Sequence, residues 1–350
     1  LADSHVSQTM PASVKKYGQY LWMDPGSKQA AQHSLAVFND VVRRYDIDGV
    51  HIDDYFYPYP IDEGGAKVPF PDDDSWAEYQ AAGGKLARDD WRRQNINDLI
   101  EKIYQTTHAI KPHVRFGISP FGIGRAGTAP GITGFDQYDE LYADAALWLK
   151  QGWCDYFTPQ LYWPIAQKAQ SFPVLLDYWQ SANDKARYIW PGLYTSRVGN
   201  KANGYKVQEI PDQIEVTRSR SASPGHVHFS MKALLQNREK LSDTLKSGVY
   251  RSPALAPAMT WLDDSPPAQP KVQTQRLTDG SSKLKLTKGD EEAVWLWSVW
   301  TRSGEQWTFS VHPGQTTTLD LDASTKDWVV SAVDRCGNES PSVRSTAAAP

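Results

Sequence analysis

Residues 46–60 read DIDGVHIDDYFYPYP. The apolar stretch GVHI runs straight into two adjacent carboxylates, Asp53 and Asp54, and then into a run of tyrosines. An ionised group buried without a partner is strongly disfavoured, so two acids at the end of an apolar strand need a reason. Either they cap the loop that follows or they do chemistry. Side chains alternate along a strand. If Val50 and Ile52 turn to surrounding helices, Gly49, His51 and Asp53 share the opposite face. Asp54 then falls on the helix side and orients a loop or a neighbour. His51 reads as a packed, hydrogen-bonded core histidine.

Working outward, helical and strand patterns alternate. Residues 30–45 have helical spacing, with Leu35, Phe38, Val41 and Val42 on one side. After the opening strand come a helix over 89–110, the strand VRFGISPF, a helix over 139–152 and the strand DYFTPQLYW. A helix over 169–183, the strand RYIWPGLYT, a helix from 211, the strand HVHFSM and a helix over 233–248 complete the series. Such alternation predicts βαβ units around a parallel sheet. Polar and aromatic residues gather at the strand ends, as at the C-terminal face of a (β/α)8 TIM-type barrel. Only five strands are legible, where closure needs about eight. Beyond Pro266, Pro267 and Pro270, short period-two segments (KLKLTK, AVWLWSVWT, WTFSV, TTTLDLD, WVVSAVD) predict a small all-β sandwich. The expected division is therefore 1–265 and 266–350.

Composition narrows the function. The 350 residues are 40% hydrophobic and 22% charged with a formal net charge of −4, which gives nucleic acid and anionic membranes no attraction. No stretch has the apolar length of a membrane span or the h-region of a signal peptide. Cys154 and Cys336 read as free buried thiols. The unusual quantity is aromatic: 14 Trp and 17 Tyr, the rings that line sugar-binding clefts.

Several motifs compete. Gly122, Gly124 and Gly127 spell G-x-G-x-x-G after a strand, but Pro130, Gly131 and Gly134 spoil the helix that would hold a pyrophosphate. Nucleotide binding is rejected, and the glycines are read as letting backbone approach a substrate. His226 and His228 share a strand face, yet a transition-metal site needs three or four ligands and no third is evident; a metal-dependent hydrolase on this pair is the weakest rival. No cofactor is expected. In DYFTPQLYW, the residues Tyr156, Thr158, Gln160 and Tyr162 form one face, so Gln160 and Tyr162, beside Trp163, lie near the mouth, with Tyr194 as a similar candidate. What remains is carboxylate chemistry in an aromatic cleft. Glycoside hydrolysis uses one carboxyl as acid and another as nucleophile or base. Asp53 is the first candidate; Asp54, Asp136, Asp139 and Glu140 compete for the second. The alternative is a glycan-binding barrel that has lost hydrolysis.

The segments LWMDPG, RRYDIDGVHIDDYFYPYP, GISPFGIGRAG, LYADAALWLKQGWCDYFTPQLYW, HFSM and PALAPAMTWLD, in this order, resemble the glycosyl-hydrolase-like family 10. The tail VVSAVDRCGNESP is similar to the end of a fibronectin-type-III-like domain. The resemblance implies a (β/α)8 barrel here lacking its first three strands, and cleavage of peptidoglycan-type glycan strands. It implies an exported, envelope-associated or lipid-anchored bacterial protein, with cell-envelope or division-site proteins as partners. It makes Asp53 and Asp54 the acidic pair and puts Arg125, Asp136, Gln160 and Tyr162 in matching stretches around the cleft; Tyr55, Ser119, Trp163 and Tyr194 complete the candidate substrate contacts.

Overall fold

Gly49–Ile52, Arg115–Ile118, Tyr156–Phe157 and Tyr188–Ile189 lie side by side in that order, every pair parallel. Gly192–Leu193 continues the fourth line and pairs in parallel with Val227–His228. The Gln160–Gly192 bridge ties this last pair to the rest. These are the strands that the sequence predicts, in the predicted order. The computed structural model describes residues 2–200, 202, 204–220 and 225–345. Among them the parallel strands form an open run of a mixed α/β unit, not a closed barrel.

Alternation sorts the faces as the sequence implies. Val50, Phe116, Ile118, Phe157 and Ile189 are buried on the helix side. Phe157 packs on Trp179, 5.1 Å between ring centroids, from the helix Phe172–Ser181. That helix buries Phe172, Leu175, Leu176 and Trp179, an i, i+3, i+4, i+7 stripe. The helix Arg88–Ile110 buries Ile96, Ile100, Ile103 and Thr107 at the same spacing, with Asp89 and Asp90 against its N-terminal dipole. Lys28–Arg44 is capped by Ser27, whose hydroxyl accepts from the Ala30 N–H at 3.3 Å.

On the opposite face His51 is hydrogen-bonded, but it is not a core residue. It is exposed, stacked on Tyr156 with centroids 5.6 Å apart, its Nδ1 3.2 Å from the phenol oxygen. The open strand run leaves this face to solvent. Tyr156 in turn stacks on Trp190 at 5.0 Å. Gly117 stands between the first and third strands, and a Cβ there would lie 2.0 Å from the Tyr156 ring. The missing side chain is what lets the phenol cross to His51.

Two predicted helices are interrupted. Residues 139–152 split into Gln137–Glu140 and Ala145–Gln151, with Tyr142 at φ +51° and Asp144 capping the second piece. Residues 233–248 split into Met231–Leu235 and Leu241–Ser247 around Asn237, which enters the left-handed region at φ +45°. Its Oδ1 accepts from the Ser242 N–H at 2.9 Å, so the side chain replaces a helical turn. No helix among the described residues is long and apolar enough to cross a membrane.

The chain divides into compact units 1–244 and 245–350. This boundary lies ahead of the expected 265/266, because residues before the prolines already bond within the C-terminal unit. The Met259 N–H donates to the Cys336 carbonyl at 2.8 Å, and Asn338 Nδ2 donates to the Asp263 carbonyl at 2.9 Å. That unit pairs a three-stranded sheet (Lys271–Arg276, Ser282–Thr287, Thr318–Leu321) with a four-stranded one. The second has the order Gln306–Pro313, Leu296–Ser303, Thr325–Val333, Val343–Arg344. Leu284, Leu286, Trp297, Val299, Trp328 and Val330 form the core of this β-sandwich region. Cys154 and Cys336 are both buried, and neither is in a disulfide.

Gly117→Ala is expected to displace Tyr156 and lower unfolding stability by about 1–3 kcal/mol, the usual range for overpacking. Urea denaturation checks it; an unchanged midpoint would mean the ring has another place to go.

Candidate active site at the ends of the parallel strands

The strand ends at Ile52, yet the alternation of exposed and buried residues carries on through Asp53 and Asp54. Gln160 Nε2 donates to Asp53 Oδ1 at 2.8 Å and to the Ser119 carbonyl at 3.1 Å. The Asp54 N–H donates to the same Asp53 oxygen at 2.9 Å. Asp53 is exposed, whereas Asp54 is 3% exposed and receives the Tyr59 hydroxyl on Oδ2. Burial lifts the Asp54 carboxyl above the ordinary range. The Tyr59 hydrogen bond opposes that rise, the Asp53 charge adds to it, and the Gln160 amide opposes it. Asp54 thus lies on the buried side, under Tyr59 of the loop that follows, and Asp53 is the acid that meets Gln160.

Phenols surround the pair. Burial, then the charges of Asp53 and Asp54, raise the Tyr162 pKa and keep its O–H protonated. Tyr55, 62% exposed, is raised by burial and then by Asp54 and Asp53. Tyr162 lies 4.8 Å from Tyr194 and stacks at 5.5 Å on Phe229, which is 47% exposed. On the other side a chain of rings runs from Tyr55 through Tyr59, Phe135 and Phe121 to Trp163, with centroids 5.1–6.3 Å apart. Tyr59 and Phe229 are absent from the sequence-derived site; their signal was only that each follows a strand end, in DDYFYPY and HFSM.

Other predicted residues have structural work. Asp136 caps the helix Gln137–Glu140, accepting from the N–H groups of Tyr138 and Asp139, and also from Ala126 at 3.0 Å. Glu140 pairs with Lys67, and Asp139 lies 3.6 Å from Arg93. Arg125 stands 4.5 Å over the Tyr138 ring and acts on Asp144. Ser119 is buried, its hydroxyl donating to the Thr158 carbonyl at 3.0 Å. Two of the three glycines pack against protein, while Gly127, at φ +78°, has open space where a Cβ would be. A Cβ on Gly122 would lie 2.2 Å from the Gln160 carbonyl oxygen, and one on Gly124 would lie 2.8 Å from the Tyr178 hydroxyl. They let the loop pack on protein, and the next helix begins only at Gln137.

His226 and His228 sit edge to face at 5.2 Å, and burial pushes them down to about 3 and about 4. His228 Nδ1 is 2.6 Å from the Thr195 hydroxyl. Among the described residues the group of three potential ligands is elsewhere, at Asp263, Glu292 and Asp334.

The family model described as glycosyl hydrolase-like 10 matches residues 4–208, more than half of the chain. The chain belongs to this family. Among curated relatives, "Glycosyl hydrolase YngK" of Bacillus subtilis is 38% identical over 286 residues, covering 78% of this chain and 54% of that protein. "Glycosyl hydrolase DigH" of Escherichia coli K12 is 35% identical over 191 residues, 53% of this chain and 42% of that protein. The chain thus spans about half the length of these relatives. Among solved structures, the chitinase ChiW from Paenibacillus aligns with 91% of this chain and 43% of its own at 11% identity and a TM-score of 0.41. The glycosyl hydrolase-like 10 match includes Asp53, Asp54, Gln160, Tyr162 and Tyr194, and stops before Phe229.

Because burial raises the Asp54 pKa in the folded state, its contribution is favourable below the unfolded-state pKa and is lost as pH rises through the folded one. Asp54→Asn should therefore match the parent at acid pH and gain thermal stability over it towards neutrality. Melting midpoints across that range check this; a difference independent of pH would mean that Asp54 ionises like an exposed carboxylate.

Proposed function

We propose that the protein is a glycoside hydrolase that cuts peptidoglycan-type glycan strands at the site of Asp53 and Asp54. The observation that carries this reading is a pair of adjacent carboxyl groups, one open and held by the Gln160 amide, the other buried under Tyr59, ringed by aromatic side chains. Glycoside hydrolysis needs a carboxyl that protonates the leaving oxygen and a carboxylate that acts as nucleophile or as base for water. Divergent environments are how one of two acids stays protonated. Burial fits Asp54 to hold the proton. Exposure and the Gln160 hydrogen bond fit Asp53 to meet the sugar. Asp136, Asp139 and Glu140 are engaged in capping and ion pairs and are not needed for the second role.

The substrate class follows from the rim. Tyr55 and Phe229 offer exposed ring faces to pyranose C–H surfaces, and the Tyr162 phenol offers a protonated donor for a sugar hydroxyl. Relatives named as glycosyl hydrolases support the reaction class. The parallel strand run is read as part of a (β/α)8 barrel, and the sandwich as fibronectin-III-like. A peptidoglycan substrate places the protein at the bacterial envelope, exported, among envelope or division-site proteins.

Asp53→Asn should abolish release of soluble fragments from peptide-free peptidoglycan strands, while Asp54→Asn should slow it by about 10²–10⁴-fold, the range for loss of a general acid. Both should melt as cooperatively as the parent. Full activity in Asp53→Asn would sink the assignment, and retention of glycan by a parent that never cuts it would favour a binding protein.

A further inference from the structure

The outer face of the four-stranded sheet in the C-terminal unit carries a feature that its core does not require. Trp297 and Val299 point inward and are buried, so Trp300 and Arg302 on the same strand point outward. Cross-strand register sets Phe309 and Val329 on either side of Trp300, and Trp307 and Asp327 on either side of Arg302. Trp300 lies 4.8 Å from Phe309, and the Arg302 guanidinium stands 5.9 Å from the centre of the Trp307 ring. Trp300 is 43% exposed and Trp307 45%. An open groove of about 500 Å³ runs over these rings, walled by the segment Arg251–Leu255, and a shallower depression of about 680 Å³ continues past Trp307 towards Arg344.

We propose that this face is a second glycan-binding surface, separate from the carboxylate site, on which sugar rings stack against Trp300 and Trp307. The chemistry selects the ligand. Adjacent indoles open to solvent offer apolar faces to the C–H side of a pyranose. Gln306, Thr308 and Glu339 edge the groove and supply hydrogen-bonding groups for hydroxyls and acetamides. Arg302 is paired with Asp327, so the charge set between the two indoles is compensated. A protein partner would favour a continuous apolar centre with charge kept to the rim, whereas here the ion pair sits in the row next to Trp300. The identity of the glycan rests on the hydrolase reading: a surface that holds the insoluble polymer keeps the cleaving unit beside new bonds.

The test uses the whole chain in the Asp53→Asn background, so that polymer is not consumed, and measures co-sedimentation with purified insoluble peptidoglycan. Trp300→Ala with Trp307→Ala should weaken retention by about tenfold or more, because both stacking faces are lost. Replacing both by Tyr, which keeps a ring at each place, should restore most of it. Should the alanine pair fail to melt cooperatively, Trp307→Ala alone is read instead, with a smaller loss expected. Retention equal to that of the parent background would overturn the proposal. So would an alanine pair that changes only the sedimentation state of the free protein, since the face would then join two copies. Tryptophan-dependent retention by a chain that never cuts glycan would uphold this surface and remove the hydrolase reading. Cleavage with tryptophan-independent retention would do the reverse.

Discussion

The Gln160 amide carries the site. Its Nε2 reaches the Asp53 carboxylate from one strand end and the Ser119 carbonyl from the next, while its backbone bridges to Phe121 and Gly192. A hydrogen bond to a charged oxygen is among the stronger ones a protein makes, and this one sets where the Asp53 carboxylate points. It is available only because Gly122 has no side chain, since a Cβ there would strike the Gln160 carbonyl. The glycine that looks like part of a nucleotide loop is therefore a condition for the carboxylate site.

The same logic runs along the open face of the sheet. Gly117 lets Tyr156 reach His51, and Gly225 lies so close to Trp190 that a Cβ would be 2.3 Å from the indole. Flat rings lie over bare backbone, and the strands stay in register beneath them. On the opposite face packing is dense, with Trp148, Phe157 and Trp179 fully buried and the Trp179 indole donating to the Gly122 carbonyl at 2.8 Å. One interaction thus links the helix layer to the loop that seats Gln160. Rigid support of this kind is what a site needs if its reacting groups are to hold their geometry.

Asp53 and Asp54 show how an electrostatic difference arises between neighbours in sequence. They share a type and a loop, yet one is open beside Gln160 and the other lies under Tyr59. Burial is the larger influence on Asp54 and outweighs the hydrogen bonds that favour its charge. Two like charges at adjacent positions repel, and the Asp53 charge adds to the rise at Asp54.

Much of this was legible from residue order alone. The period-two pattern in GVHID, VRFGISPF and DYFTPQLYW determined which side chains face the helices, because a strand has no other way to place them. The sequence is rich in aromatic residues, and the rings of Tyr55, Tyr59 and Tyr162 do lie beside the adjacent acids. Alternation also separated the open Asp53 from the buried Asp54. Local pattern failed where the backbone leaves regular geometry. Helical periodicity could not see that Asn237 would turn the chain and cap the next helix with its own amide. Capping by Asp136, the Lys67 partner of Glu140 and the bonding of Met259 to Cys336 are contacts between residues set by how the chain folds back. The sequence by itself determined the faces and the chemistry available; the tertiary structure decided that Tyr59 covers Asp54 and Gln160 holds Asp53, because only folding sets partner distance.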